Sequence, residues 1–178
     1  MRRFGVRYHL VTDLAVTAGR DRVWEALVGV DVWPSWWSWL RRLRVLHPGG
    51  EDGLGGRFRG LIATPTRYSL RCDIEVLAVR RPETIALRAA GDLVGRGDFR
   101  LSDAGSGGTA LEFVWRVRTA KWWMNLAAPV ARRAFVRNHD KLMDDFARGL
   151  AYGTGSELVS VSHRALRRGD AGFFKTTE

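Results

Sequence analysis

The sequence contains one cysteine, Cys72, and no long uninterrupted apolar run. A single cysteine cannot form an internal disulfide, so nothing in the chain requires an oxidising compartment. No stretch approaches the roughly 20 apolar residues that a membrane-spanning helix needs. Polar residues also interrupt the segment after Arg2 and Arg3 that could otherwise resemble a secretion signal. We therefore expect a cytoplasmic protein.

Sequence motifs for common cofactors are also absent. The four histidines, His9, His47, His139 and His163, lack metal-ligand spacing, and the chain has no cysteine pair. The glycine-rich segment 49–56 is not followed by the Lys-Ser/Thr of a phosphate-binding loop, and no Gly-x-Ser-x-Gly motif is present. The sequence therefore predicts neither a bound metal nor a nucleotide cofactor.

The positive charge is carried almost entirely by arginine. The formal net charge is +10 at pH 7, and the chain has 26 arginines and 3 lysines. The arginines are spread between Arg2 and Arg168 with no more than two in a row, so they do not form the cluster that nucleic-acid binding favours. We expect no nucleic-acid partner. We expect a soluble, arginine-rich surface, and the alternative is a weak contact of this surface with an anionic membrane.

The longest helical periodicity covers residues 120–152. Apolar side chains recur on a line centred on Leu142, and arginines and aspartates occupy the opposite side, as in an amphipathic helix packed on a flat partner. Pro129 predicts either a kink or a true helix start. Asn138 and His139 interrupt the apolar line one turn before Leu142. As buried polar groups they must find hydrogen bonds from protein, water or ligand.

Alternating apolar and polar residues predict antiparallel strands, each with one face in solvent. Two short helical segments, 21–30 and 31–40, follow the first strand. The second segment contains four of the eight tryptophans, and it predicts either a plug at one end of the core or an aromatic rim around a ligand entrance. The order indicates an α+β fold, in which a curved antiparallel sheet of about six to seven strands wraps around one long C-terminal helix. The predicted strands are 6–17, 41–47, 57–63, 66–79, 84–90, 91–102 and 109–119.

Two glycines lie on the inward parity of one predicted strand. Gly95 and Gly97 are two residues apart in segment 91–102. Glycine in a strand usually marks a bulge, a bend or the close approach of another group. We expect these two glycines to widen a concave cavity between the sheet and the long helix.

The composition predicts one domain and a C-terminal extension. With 178 residues, 46% hydrophobic and 27% charged, the chain suits a single globular core. We place that domain at residues 1–153. Residues 154–178 are charged and weakly patterned, and they predict a partly disordered tail or a short extra helix.

Four segments carry a resemblance to a known superfamily. They are VWEAL at 23–27, WPSWW at 33–37, GDLVGRGDF at 91–99 and NHD at 138–140. The sequence resembles the helix-grip superfamily often labelled SRPBCC, which includes START lipid-transfer domains, birch-pollen-allergen-like proteins and bacterial polyketide cyclase/dehydrase proteins. The resemblance covers about residues 8–150. Because the superfamily contains carriers, cyclases, hydrolases and sensors, it implies a fold more than a chemistry.

The resemblance implies a hydrophobic cavity between the sheet and the long helix. Such a cavity is expected to bind a lipid, a polyketide or another aromatic or polycyclic molecule, without a cofactor. The candidate ligand-binding residues in this sequence are Trp33, Trp36, Phe58, Tyr68, Leu87, Phe99, Phe113, Trp115, Phe135, Asn138, His139 and Leu142.

Three functions are compatible with these observations. The first is a carrier or sensor that binds a hydrophobic small molecule. The second is an aromatase/cyclase-type enzyme that folds a polyketide-like chain by pocket shape and proton transfer, with His139 and Tyr68 as the candidate acid–base residues. The third is a protein that binds anionic membrane through its basic surface. His139 could instead be a structural imidazole bonded to a neighbouring backbone group or to Asn138 and Asp145, or could pair with Cys72 as a nucleophile.

Overall fold

The computed structural model describes residues 6–64, 69–119 and 128–166, with side chains from residue 132 onward in the last helix. One sheet contains every described strand. Its members are β1 (Arg7–Val16), β2 (Leu40–His47), β3 (Arg57–Ala63), β4 (Ser69–Arg80), β5 (Thr84–Gly91), β6 (Leu93–Asp103), β7 (Thr109–Thr119) and β8 (Leu158–Ala165). The helices are α1 (Arg20–Val28), α2 (Trp33–Trp36) and α3 (Ala128–Gly153), with a 3-10 turn at Val30–Val32.

The sheet is antiparallel throughout, in the order β2-β3-β4-β5-β6-β7-β1-β8. Strands β2 to β7 form a meander, because each pairs with the next along the chain. The first strand, β1, pairs with the last strand of this meander, β7. The predicted helix-grip fold is confirmed, with eight strands instead of the expected six to seven.

The eighth strand occupies part of the predicted tail. β8 pairs with the edge of β1 that β7 leaves free. The prediction of a tail or short helix is wrong for 158–165, because these residues pair with backbone groups of β1 that are far away in sequence. His163 strengthens the contact: its Nδ1 lies 3.0 Å from Thr12 Oγ1, and its Nε2 lies 2.9 Å from Asp144 Oδ1. Residues 167–178 of the predicted tail lie outside the described residues.

Helix α3 covers the concave face of the sheet. Pro129 lies in its first turn, where its missing N–H has no helical partner to lose. The predicted lead-in at 120–127 lies outside the described residues. Met143, Phe146 and Leu150 are at most 2% exposed, so the most buried line runs one residue beside the predicted centre at Leu142. Leu142 itself is half-buried, because it faces a cavity instead of packed side chains.

The tryptophan-rich segment, which includes α2, packs against α3 through an aromatic junction. The Phe146 ring contacts the rings of Trp33, Trp36 and Trp37, with centroid distances of 6.1, 5.6 and 5.1 Å. The indole N–H of Trp33 donates to the Ala26 carbonyl oxygen at 2.9 Å. Trp33 and Trp37 are buried by these contacts, and both also line the cavity described below, so the plug and the entrance rim both stay predictions. Among the described residues, no helix has the length and hydropathy needed to span a bilayer.

Candidate ligand-binding site

A cavity of about 350 Å³ lies between the concave face of the sheet and α3. Its volume falls in the range of small-molecule binding pockets. Strands β2 to β7, the α2 segment and α3 all contribute side chains to its wall. Ten of the residues proposed from the sequence lie on this wall: Trp33, Phe58, Leu87, Phe99, Phe113, Trp115, Phe135, Asn138, His139 and Leu142.

Two proposed residues are not among those found on the wall. The backbone and ring of Trp36 pack against Gly149, and its ring also packs against Gly153 of α3, at the junction described above. Tyr68 lies outside the described residues, so its proposed role stays a prediction. Tyr8 and Cys72 also line the cavity, although the list of candidate binding residues did not include them. Their inward parity in the predicted strands was the available signal.

The glycines of β6 do not widen the cavity, so that expectation is wrong. A Cβ on Gly97 would lie 2.6 Å from the ring of Trp115. A Cβ on Gly95 would collide with the backbone of β7 at Arg116. These glycines allow β7 and the Trp115 indole to approach β6 closely. The glycine that does face the cavity is Gly60 of β3.

The described part of the cavity wall is mainly apolar. Among the described residues, no Asp, Glu, Lys or Arg side chain lines it. Its polar groups include the Asn138 amide, the His139 imidazole and the hydroxyls of Thr64 and Thr119. Within the described ranges, no group of three His, Cys, Asp or Glu side chains is placed to hold a metal ion.

His139 is buried on this wall without a hydrogen-bond partner. The residue is 9% exposed, and neither ring nitrogen has a partner among the described residues. The nearest carboxylate oxygen, Asp140 Oδ1, lies 3.8 Å from Nδ1, too far for a hydrogen bond. The alternative of an imidazole bonded to Asn138 or Asp145 is therefore wrong; Asp145 accepts hydrogen bonds from Ser38.

Burial sets the protonation state of this imidazole. Loss of water contact lowers the pKa of His139 below its usual range, and the interaction with the Asp140 side chain opposes this only in part. The side chain is therefore neutral near pH 7, with one donor nitrogen and one acceptor nitrogen.

Cys72 is not an activated nucleophile. Burial, followed by the negative charges of Asp92 and Asp73, raises the pKa of its thiol to about 12. A thiol is reactive as its thiolate, which these surroundings disfavour. Since neither nitrogen of His139 has a partner, the Cys–His pair considered from the sequence is not formed. Cys72 acts here as a small apolar wall residue.

A second cavity of about 330 Å³ lies beyond part of the same wall, next to α1 and the loop at 48–56. Unlike the first cavity, it has acidic residues, Asp31 and Asp52, in its described lining. The side chains that line both cavities are Trp33, Phe58, Leu87 and Phe99.

We predict that the folded protein loses stability when the pH falls from 7.5 to 5.5. In the unfolded chain His139 protonates near pH 6.5, whereas burial keeps it neutral in the folded protein. The unfolded state therefore binds more protons below about pH 6.5, and stability is lost as the pH falls towards the lowered folded pKa. Thermal unfolding at both pH values measures this loss.

The His139→Leu variant is the control for this pH dependence. It should lose less stability than the wild type over the same interval. Part of the loss should persist, because burial and the charge of Arg116 also lower the pKa of His9. An identical pH dependence in the wild type and His139→Leu would contradict the assignment to His139.

No protein-family model and no curated protein sequence matches this chain. Solved structures do match, and they show its fold. The chain has the helix-grip fold of START-like and polyketide-cyclase-type proteins. The resemblance seen in the four sequence motifs is confirmed as a resemblance of fold.

Three of these structures show how far the likeness extends. The Zhui aromatase/cyclase from Streptomyces sp. R1128 superposes with a TM-score of 0.69 at 16% identity, over 84% of this chain and 94% of that one. A START superfamily protein from Mycobacterium smegmatis gives 0.65 at 15% identity, over 83% and 97%. Norcoclaurine synthase from Thalictrum flavum, in complex with dopamine and hydroxybenzaldehyde, gives 0.59 at 10% identity, over 83% and 86%.

Proposed function

We propose that this protein binds a hydrophobic small molecule, aromatic or polycyclic, between its sheet and α3, as a carrier or sensor. The observation that carries the proposal is the apolar cavity of about 350 Å³. Protein interiors are normally packed as densely as organic crystals, with few voids larger than a water molecule. A cavity of this size gives up dispersion contacts that a ligand of matching shape would restore.

The arrangement of the rings favours a flat ligand. Phe99 stacks on Phe113 with ring centroids 4.5 Å apart, and Phe113 stacks on Trp115 at 5.5 Å. All three line the cavity, with Trp33 and Phe58 on the part of the wall it shares with the second cavity. Aromatic side chains offer large apolar faces for offset or edge contacts with another ring. The aromatic compounds named with norcoclaurine synthase agree with such a ligand class.

Filling the cavity should abolish binding. We expect the Leu142→Trp variant to lose at least about tenfold in affinity for N-phenyl-1-naphthylamine, an uncharged fluorescent probe, because the indole would occupy the space that the probe needs. The wild-type Kd comes from a fluorescence titration. Native mass spectrometry of the purified protein would add the mass of any molecule that remains bound.

Leu142→Met is the matched control, because it keeps the volume and apolar character of the side chain. Its affinity for the probe should stay within about threefold of the wild type. Equal probe binding by Leu142→Trp and the wild type would contradict ligand binding in this cavity. In that case the unchanged affinity of Leu142→Trp would indicate that the probe binds in the second cavity.

A second candidate function is an aromatase/cyclase-type enzyme. Two observations favour it: the unpartnered imidazole of His139 on the cavity wall, and the structural likeness to two aromatase/cyclases, Zhui and StfQ. A neutral imidazole can take up and return a proton during an aldol-type ring closure. Incubation with a thioester of a linear poly-β-ketone tests this. Cyclised product that falls with His139→Ala while binding persists would support the enzyme over the carrier.

A further inference from the structure

We infer that the ligand is an uncharged molecule with a hydroxyl group, and that this hydroxyl hydrogen-bonds to His139 inside the cavity. The inference rests on the proposed function and gives it a chemical class. It makes His139 the residue that determines specificity among hydrophobic ligands of similar size.

The first argument is the unmade hydrogen bonds of His139. Its side chain is more than nine-tenths buried and lies on the cavity wall. Both ring nitrogens lack a partner among the described residues. A buried polar group without a partner is costly, and native proteins rarely retain one without a reason. A ligand group inside the cavity would supply the missing bond.

The second argument is the absence of compensating charge. No acidic or basic side chain of the described residues lines the cavity. A carboxylate or ammonium group would have to leave water without an opposite charge to pair with, at a large cost in free energy. The nearest charge to the imidazole is the Asp140 carboxylate, 3.8 Å from Nδ1, which would repel an anionic ligand. An uncharged ligand meets neither obstacle.

The third argument favours a hydroxyl over a carbonyl group. Burial keeps the imidazole neutral, so one nitrogen donates a hydrogen bond and the other accepts one. A carbonyl oxygen can pair only with the protonated nitrogen. A hydroxyl can accept from that nitrogen or donate to the other, so it fits whichever tautomer faces the cavity.

A matched series of pyrenes tests the inference at pH 7. The probes are pyrene, 1-hydroxypyrene and 1-pyrenecarboxylate, and the readout is the Kd from fluorescence titration. In the wild type, we expect 1-hydroxypyrene to bind about threefold more tightly than pyrene, and the carboxylate to bind most weakly. In His139→Leu, the ratio of 1-hydroxypyrene to pyrene affinity should fall by about tenfold, because the hydroxyl then loses its partner.

Two further variants separate the hydrogen bond from packing. His139→Gln keeps a donor and an acceptor, so it should retain much of the preference for the hydroxyl compound. Leu142→Met lies on the same wall and should shift the affinities of pyrene and 1-hydroxypyrene together. Circular dichroism and melting temperature confirm that each variant is folded.

The failures are distinguishable. If the wild type binds none of the three compounds, the proposed function fails in this form, and the inference fails with it. If pyrene binds but the hydroxyl gives no advantage, or the carboxylate binds most tightly, only the inference is overturned. It is also overturned if His139→Leu keeps the wild-type ratio.

Discussion

Replacing Phe146 by alanine is expected to lower the free energy of unfolding by about 3–5 kcal/mol. The side chain is 1% exposed, and its ring lies at the centre of the contact between α2 and α3. It also stacks on Phe99 of the sheet, with ring centroids 6.2 Å apart. Because its neighbours belong to separate elements held by their own backbone hydrogen bonds, they cannot collapse into the space that alanine would leave. Urea unfolding followed by circular dichroism measures the loss.

Tyr152→Ala is the control for this substitution. Tyr152 belongs to the same helix but is 80% exposed, so its truncation should change the stability by less than about 0.5 kcal/mol. Similar losses in the two variants would show that the aromatic junction does not dominate the stability of α3.

Gly149→Ala is expected to destabilise the protein by about 2–3 kcal/mol. A Cβ at this position would lie 2.2 Å from the carbonyl oxygen of Trp36 and 2.8 Å from Cε3 of its ring. The expected sign is opposite to helix propensity, which favours alanine over glycine by about 1 kcal/mol. Either α3 or the α2 segment would have to move, and the aromatic contacts around Phe146 would loosen. Thermal or urea unfolding tests the prediction.

Gly153→Ala provides a matched comparison one turn later. There the nearest atoms to a new Cβ belong to the Trp36 side chain, at 3.0 Å or more, and a side chain can shift more easily than backbone. Its cost should be clearly smaller than that of Gly149→Ala. A Gly149→Ala protein more stable than the wild type would show that α3 does not approach the Trp36 backbone this closely.

Seven of the eight strands were predictable because each has its own alternating pattern. In β5, Ile85, Leu87 and Ala89 share one parity and are buried. Thr84, Arg88 and Ala90 on the other parity are exposed. Alternation of this kind reports directly which side of a sheet faces the core. β8 was not predicted as a strand, because it forms by pairing with the free edge of β1. That edge becomes visible only when the sheet order is known.

The candidate site was predictable from parity and periodicity, but its fine geometry was not. Periodicity placed Leu142 near the centre of the inward face of α3, yet Met143 is the more buried of the two. The difference reflects where the helix meets side chains and where it meets open space, which is a property of packing. For the same reason, Gly97 was expected to create space, whereas the Trp115 ring fills it.

The position of β1 has a consequence for synthesis. Residues 7–16 are synthesised before both of their neighbours in the sheet, residues 109–119 and 158–165. The nascent chain therefore carries this strand unpaired while the residues between them emerge. Pairing between such distant segments is slow, and exposed strands invite association with other chains in the meantime. Residues 7–16 therefore find their backbone hydrogen-bond partners only after residues 109–119 and 158–165 have been synthesised.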